Sequence, residues 1–132
     1  MILVVDASAA VDLLVRSAAG EHVRQALTAA QKPTLMTVAH LDAEVLSALA
    51  RLHRADVLTH QQVTDLLDRL STLAMQRLPI TPPLLRAAWG LRDNVAARDA
   101  LYVAAAKAVD GKLVTTDDRL ARAVPDLALA LT

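Results

Sequence analysis

Short apolar runs alternate with amphipathic segments along the whole of this 132-residue chain. Ile2 to Val5 is a continuous apolar run rich in β-branched residues, which is typical of a strand buried on both faces of a parallel sheet. Apolar residues at helical spacing, such as Leu41, Val45 and Leu49, predict amphipathic helices instead. The pattern therefore predicts strands and helices in alternation.

The pattern and its breaks predict five strands and seven helices. The strands are Ile2–Val5, Thr34–Val38 and residues 77–81, 112–116 and 127–131. The helices are residues 8–15, 21–30, 39–54, a segment starting at Thr59, 84–91, 99–109 and 119–124. Gly20 separates the first two helices, and Lys32-Pro33 ends the second. We expect one domain over residues 1–132, with a three-layer α/β/α architecture, right-handed crossovers and a mostly parallel sheet of four or five strands.

Composition narrows the class of protein. Apolar residues make up 55% of the chain and charged residues 21%, so the chain can bury a core. No apolar stretch approaches the roughly 18 residues of a membrane span, and no basic segment precedes the apolar start as in a signal peptide. We therefore expect a cytoplasmic protein without membrane association. The absence of cysteine excludes disulfides and a thiolate nucleophile.

The charge balance gives no sign of a nucleic-acid partner. Basic and acidic side chains number 14 each, so there is no global positive field. Trp89 and Tyr102 are the only aromatic residues, which argues against base stacking on an aromatic platform. Any nucleic acid would have to be bound through its phosphates.

Carboxylates follow the predicted strands at one edge of the sheet. Asp6 directly follows the first strand, Asp117 follows the fourth, and Asp99 heads the helix that begins RDALYVAAAK. Because ligands of parallel α/β sheets bind beyond the carboxyl ends of the strands, these side chains can reach one crevice. Carboxylates that share a crevice repel one another, and a hard cation such as Mg²⁺ or Mn²⁺ relieves that repulsion.

Other polar residues leave alternatives open. Asp42 and Glu44 lie near the start of the same helix on opposite edges of its apolar stripe, and only the longer reach of glutamate favours Glu44. Asp118, next to Asp117, is equally ambiguous. The histidines show no metal-ligand spacing and are interpreted as surface or helix-face residues. They are His22, His40, His53 and His60.

Helix capping is the competing explanation for the acids. Asp99 and Asp117 stand where N-caps are expected, and aspartate is among the best N-caps. Asp6 could cap the first helix, although Ser8 is the more natural cap. On this view the chain is a non-catalytic α/β protein-binding module. A phosphotransferase with Asp6 as nucleophile is disfavoured, because the second aspartate expected two residues later is Ser8.

Three segments carry a resemblance to a known family: VVDASA, AHLDAEVLSALARLHR and RDALYVAAAKAVDGKLVTTDDRLAR. With their spacing, they resemble the PIN-domain ribonucleases over nearly the whole chain, and most closely the VapC-type toxins of bacterial toxin–antitoxin pairs. The last segment is the most specific of the three.

The resemblance implies a Mg²⁺- or Mn²⁺-dependent endoribonuclease with four catalytic and metal-binding acids. These are Asp6, Glu44, Asp99 and Asp117. It also implies support from the hydroxyls of Ser8 and Thr116, an RNA substrate, a homodimer, and a cognate antitoxin whose tail lies in an apolar groove near the site. Because the net charge is zero, RNA affinity would depend on local basic residues. Arg92, Arg98 and Arg119 lie near the acids in sequence.

Overall fold

The computed structural model describes residues 1–131. Within that range four strands form one parallel sheet: β1 (Ile2–Val5), β2 (Thr34–Val38), β3 (Gln76–Leu78) and β4 (Lys112–Val114). Their order is β3-β2-β1-β4. The helices in the described range are α1 (Ala7–Val15), α2 (Ala18–Ala29), α3 (Leu41–Arg54), α4 (His60–Thr72), α5 (Pro82–Trp89), α6 (Ala97–Ala108) and α7 (Asp118–Ala123). The predicted α/β/α class is confirmed.

The core lies on both faces of β1. Leu3, Val4 and Val5 are buried because the strand has β2 on one side and β4 on the other. The alanine-rich helix α6 packs against β1, β2, β4 and α5, while α1 packs with α2, α3 and α4. The chain thus places the carboxyl end of β1 between two helical layers. None of the helices within residues 1–131 has the length and apolarity that crossing a bilayer requires.

Proline chemistry explains the early end of the third strand. The third strand was predicted over 77–81 but ends at Leu78, directly before Pro79, which has no N–H to donate. Thr81 is the N-cap of α5, and Pro82 forms its first turn, so this helix begins two residues before the predicted start. The predicted fifth strand, 127–131, is reduced to one parallel bridge between Leu113 and Ala128.

The sequence suggested that Gly20 separates two helices, but the structure shows no helix break at this residue. It lies buried within the first turn of α2, which is capped by Ser17. A Cβ atom at this position would lie 2.0 Å from the carbonyl oxygen of Asp12 in α1. Glycine is therefore required because the two helices approach too closely for a side chain, and not because the helix ends there.

Candidate active site

Asp6 is fixed at the junction of β1 and α1. It is 2% exposed and caps α1, because its Oδ1 atom accepts hydrogen bonds from the Ala9 N–H (2.9 Å) and the Ser8 hydroxyl (2.7 Å). Its Oδ2 atom accepts one from the Thr115 hydroxyl at 2.5 Å. The expectation that Ser8 would be the more natural cap was wrong, since α1 begins at Ala7. Both carboxylate oxygens are thus held in place.

Burial makes the negative charge of Asp6 unfavourable. Loss of solvent raises the pKa of this carboxyl from 3.8 to about 6, although the hydrogen bonds from Thr115, Ala9 and Ser8 act in the opposite direction. The nearby charge of Asp99 raises it further. A cation in contact with Asp6 would favour the charged form.

Asp99 does not cap its helix. Ala96 occupies the N-cap position of α6, and Asp99 lies in the first turn without a capping hydrogen bond. Burial raises the pKa of Asp99, Arg98 opposes this, and the charges of Asp117 and Glu44 raise it again. Since the capping explanation fails here, the side chain is available to the cleft described below.

Asp117 does cap a helix, as its position predicted. Its Oδ1 atom accepts hydrogen bonds from the N–H groups of Arg119 (3.0 Å) and Leu120 (3.2 Å) at the start of α7. The neighbouring Asp118 is exposed and lines a different cavity. Of this pair, Asp117 is the residue that faces the other acids.

The tertiary structure distinguishes Glu44 from Asp42. The guanidinium of Arg77, on β3, binds Asp42 through Nε (2.6 Å) and Nη2 (2.8 Å). Glu44 instead accepts a 2.6 Å hydrogen bond at Oε1 from the hydroxyl of Tyr102. The imidazole of His40 stacks on the Tyr102 ring at 4.5 Å, with Nε2 3.3 Å from the same oxygen. Asp42 therefore has its own partner, and Glu44 is directed towards α6.

The acids meet in one cavity of about 310 Å³, which we call the acid cleft. Its acidic lining residues are Asp6, Asp12, Glu44, Asp99 and Asp117. The four acids predicted from the sequence thus come from four separate parts of the chain to one cavity. For Asp6 and Asp117, capping and a position in the cleft coexist, so the two explanations of these acids do not exclude each other.

The match to known proteins extends over almost the whole chain. The model of the PIN domain family matches residues 3–124. The chain belongs to the PIN-domain family. The ribonuclease VapC3 of Mycobacterium tuberculosis is 45% identical over 126 residues, which cover 93% of this PIN domain and 88% of the relative. The ribonuclease VapC1 of the same species is 43% identical over 121 residues, or 91% and 89% of the two chains.

A solved structure supports the same fold for this PIN domain. A toxin–antitoxin complex from Klebsiella pneumoniae superposes with a TM-score of 0.72 at 17% identity, covering 98% of each chain. At that identity the likeness shows the fold alone. The family inferred from the three sequence segments is confirmed.

Three residues of this PIN domain that line the cleft or donate to its carboxylates were not singled out from the sequence. Asp12 accepts hydrogen bonds from the hydroxyls of Ser17 (2.8 Å) and Thr116 (2.5 Å). The spacing of Ser8 and Asp12 could have identified Asp12, because residues four apart share a helix face. Tyr102 lies three residues after Asp99, on the same face of α6.

Thr115, the third, donates to Asp6, while the predicted supporting residue Thr116 bonds to Asp12. The N–H of Thr116 also donates to the hydroxyl of Ser8 at 3.1 Å. Nothing in the sequence distinguished these two threonines. Ser8 contacts Asp6 directly, so the two predicted supporting hydroxyls bind different carboxylates of the cleft.

The donor chemistry of the acid cleft fits a hard divalent cation. Its acidic lining residues supply only oxygen atoms, which Mg²⁺ and Mn²⁺ prefer over the nitrogen and sulfur ligands of Zn²⁺. Burial is the main cause of the raised pKa values of Asp6 and Asp99, and the neighbouring acids add a smaller increase, so a cation at the cleft would favour the charged forms of both. Within residues 1–131, no three acidic or histidine side chains are arranged as a formed metal site. The fit therefore rests on the donor set and its charge.

Proposed function

We propose that this PIN domain is an endoribonuclease of the VapC type that hydrolyses RNA phosphodiester bonds with Mg²⁺ or Mn²⁺. The observation that carries the proposal is the convergence of the predicted acids on one cleft, where burial and mutual repulsion raise the pKa values of Asp6 and Asp99. The 45% identity to a protein named ribonuclease VapC3 supports RNA as the substrate. The residues that would hold the ion are Asp6, Glu44, Asp99 and Asp117.

The chain's own residues hold two of the proposed ligands in place. Thr115 and Ser8 hold the two oxygens of Asp6, and Tyr102 holds Oε1 of Glu44. A bound divalent ion would stabilise negative charge on the phosphate and lower the pKa of a coordinated water. Fixed ligands need little reorganisation to meet such an ion, which is the advantage of locking carboxylates before the substrate arrives.

The proposed mechanism uses water and not a side chain as the nucleophile. The Ser8 hydroxyl donates to Asp6 and accepts from the Thr116 N–H, and these contacts give it a role in orienting Asp6. The chain contains no cysteine. Water is then the attacking group, and the products are a 5′-phosphate and a 3′-hydroxyl, because attack by the 2′-hydroxyl is not required.

The decisive experiment is to incubate the purified protein with Mn²⁺ and total cellular RNA and to map the new 5′ ends. We expect fragments that ligate directly through a 5′-phosphate, and loss of cleavage in Asp99→Asn and Glu44→Gln. Asp42→Asn, on the same helix as Glu44 but paired with Arg77, serves as the matched control and retains cleavage. A 2′,3′-cyclic phosphate product, or equal cleavage by Asp99→Asn, would contradict the proposal.

An antitoxin partner and a homodimer complete the proposed function. The fold is shared with a toxin–antitoxin complex, which supports a protein inhibitor for this chain. Large apolar side chains remain exposed on α5, where Leu85 is 51% and Trp89 67% exposed, and such surface is typical of an interface. Light scattering of the purified chain tests the dimer, and co-purification with the product of an adjacent gene tests the inhibitor.

The non-catalytic binding module is the second candidate, since Asp6 and Asp117 do cap helices. It leaves Asp99 without a role, because Asp99 does not cap its helix. The response of the melting temperature to Mn²⁺, described in the Discussion, separates the two candidates.

A further inference from the structure

Four arginines lie in the acid cleft or in the cavity beside it. Arg51 and Arg98 line the cleft itself. A second cavity of about 320 Å³ has Arg92 and Arg119 in its wall. Asp99 and Asp117 line both cavities, so the two are neighbours along one surface. We call these four residues the flanking arginines.

None of the flanking arginines forms an ion pair within 4.0 Å with a carboxylate in the part of the chain that the structure describes. The ion pairs in that part involve Arg24, Arg77 and His40 instead. All four are exposed. A guanidinium with its donors free in water can bind a phosphate without first breaking an ion pair.

Two of the flanking arginines are held in place by neutral neighbours. The guanidinium of Arg92 lies 4.7 Å from the centroid of the Trp89 ring, and its Nη1 donates to the Trp89 carbonyl at 3.1 Å. Arg51 likewise donates to the hydroxyl of Ser47 at 2.9 Å. These contacts orient each positive charge without cancelling it.

Because the chain has zero net charge, RNA binding depends on where its individual positive charges lie. A nucleic acid gains no general attraction from a chain of zero net charge, and the acids of the cleft repel its phosphates. Cations that bind the neighbouring phosphates on either side would offset this repulsion.

We propose that one RNA strand crosses the acid cleft between two phosphate-binding subsites, with Arg51 and Arg98 on one side and Arg92 and Arg119 on the other. The proposal rests on the proposed function only in that RNA is the ligand. Because the contacts are to phosphates, they set the position of the strand on the protein and do not select its sequence.

Three double variants with the same change in charge test this proposal: Arg51→Gln/Arg98→Gln, Arg92→Gln/Arg119→Gln and, as the matched control, Arg54→Gln/Arg86→Gln. Arg54 and Arg86 are exposed on α3 and α5 and line neither cavity. The affinity of each protein for a labelled pool of single-stranded RNA oligonucleotides is measured by fluorescence anisotropy in EDTA, which prevents cleavage, over a range of KCl concentrations.

The slope of log affinity against log salt reports the number of phosphates bound. Each lost contact to a single strand lowers its magnitude by about 0.7, so each flanking pair is expected to lower it by about 1.4. The control pair leaves the slope unchanged. Equal slopes for all four proteins, or a loss confined to one flanking pair, would overturn the proposal, because the strand would then not span the cleft.

Cleavage with Mn²⁺, measured on the same proteins, keeps the two proposals separable. If wild-type protein binds RNA with the expected slopes but does not cleave it, the proposed function fails and the two-sided binding stands. If the wild-type protein cleaves RNA but the salt slopes of the flanking-arginine variants equal the wild-type slope, the proposed function stands and this inference fails.

Discussion

The hydroxyl of Tyr102 donates a 2.6 Å hydrogen bond to Oε1 of Glu44 and so joins α6 to α3 at the acid cleft. Burial raises the pKa of Tyr102, and the hydrogen bond and charge of Glu44 raise it further, so the phenol stays protonated and remains the donor. The Tyr102 ring is buried and carries His40 on its face. One oxygen of Glu44 is thereby fixed from the side away from bulk solvent.

Tyr102→Phe removes this donor and keeps the ring. We expect the affinity for Mn²⁺ to fall about tenfold or more, which is the usual cost of losing a partner that orients a metal ligand. Calorimetric titration of Mn²⁺ measures it. In a Glu44→Gln background the same substitution should have no further effect on the Mn²⁺ affinity. Additive losses would show that Tyr102 does not act through Glu44.

Asp6→Asn tests the cost of burying the Asp6 charge. The pKa of Asp6 is about 6 in the folded protein and 3.8 unfolded, so the folded state binds the proton more tightly. The stabilisation that comes from protonated Asp6 is complete below pH 4 and is lost as the pH rises through 6. In EDTA, Asp6→Asn should therefore match wild type near pH 4 and exceed its stability by up to about 3 kcal/mol at pH 7.

Urea unfolding from pH 4 to pH 7 measures the Asp6→Asn effect, and Asp6→Ala is its control. Asparagine caps a helix as well as aspartate does, whereas alanine loses about 1 kcal/mol as a cap and leaves the hydroxyls of Ser8 and Thr115 without their acceptor. An Asp6→Asn protein that is less stable than wild type at pH 7 would mean that the hydrogen bonds to the charged carboxylate outweigh its burial.

Mn²⁺ should raise the melting temperature of the wild-type protein through the acid cleft. A ligand that binds only the folded state at 100 times its dissociation constant adds about 2.7 kcal/mol. We expect this gain to disappear in Asp99→Asn and to persist in Asp42→Asn, whose carboxylate is bound by Arg77 outside the cleft. Differential scanning fluorimetry measures both. If Mn²⁺ does not change the melting temperature of the wild-type protein, the result would favour the binding module.

Gly20→Ala should destabilise the fold. The added Cβ would lie 2.0 Å from the Asp12 carbonyl oxygen, so α2 must move away from α1. Overpacking of this kind costs about 1–3 kcal/mol or more. The matched control is Gly90→Ala, where the nearest atom is the Ala87 carbonyl oxygen at 3.3 Å, and its effect should be much smaller. Chemical denaturation compares the two, and equal effects would show that helix propensity, not the approach to α1, governs Gly20.

The sequence predicted the features that depend on neighbours along the chain. The β-branched run Ile2–Val5 is apolar on both faces, and a strand of that kind has to lie inside a parallel sheet. The position of Asp6 at its end, and of Asp117 after β4, then follows from the common direction of the strands. Asp117 as an N-cap was equally readable, because capping requires only the next three residues.

Only the tertiary structure decided between residues whose local patterns are alike. Asp42 and Glu44 sit in the same turn of α3, and they are distinguished by Arg77, 35 residues away, and Tyr102, 58 residues away. Gly20 was predicted to break a helix, because the contact with α1 that requires a glycine there cannot be seen in the local sequence. Periodicity and capping depend on residues within a single segment. The partner of a carboxylate and the space beside a glycine depend instead on which segments pack together.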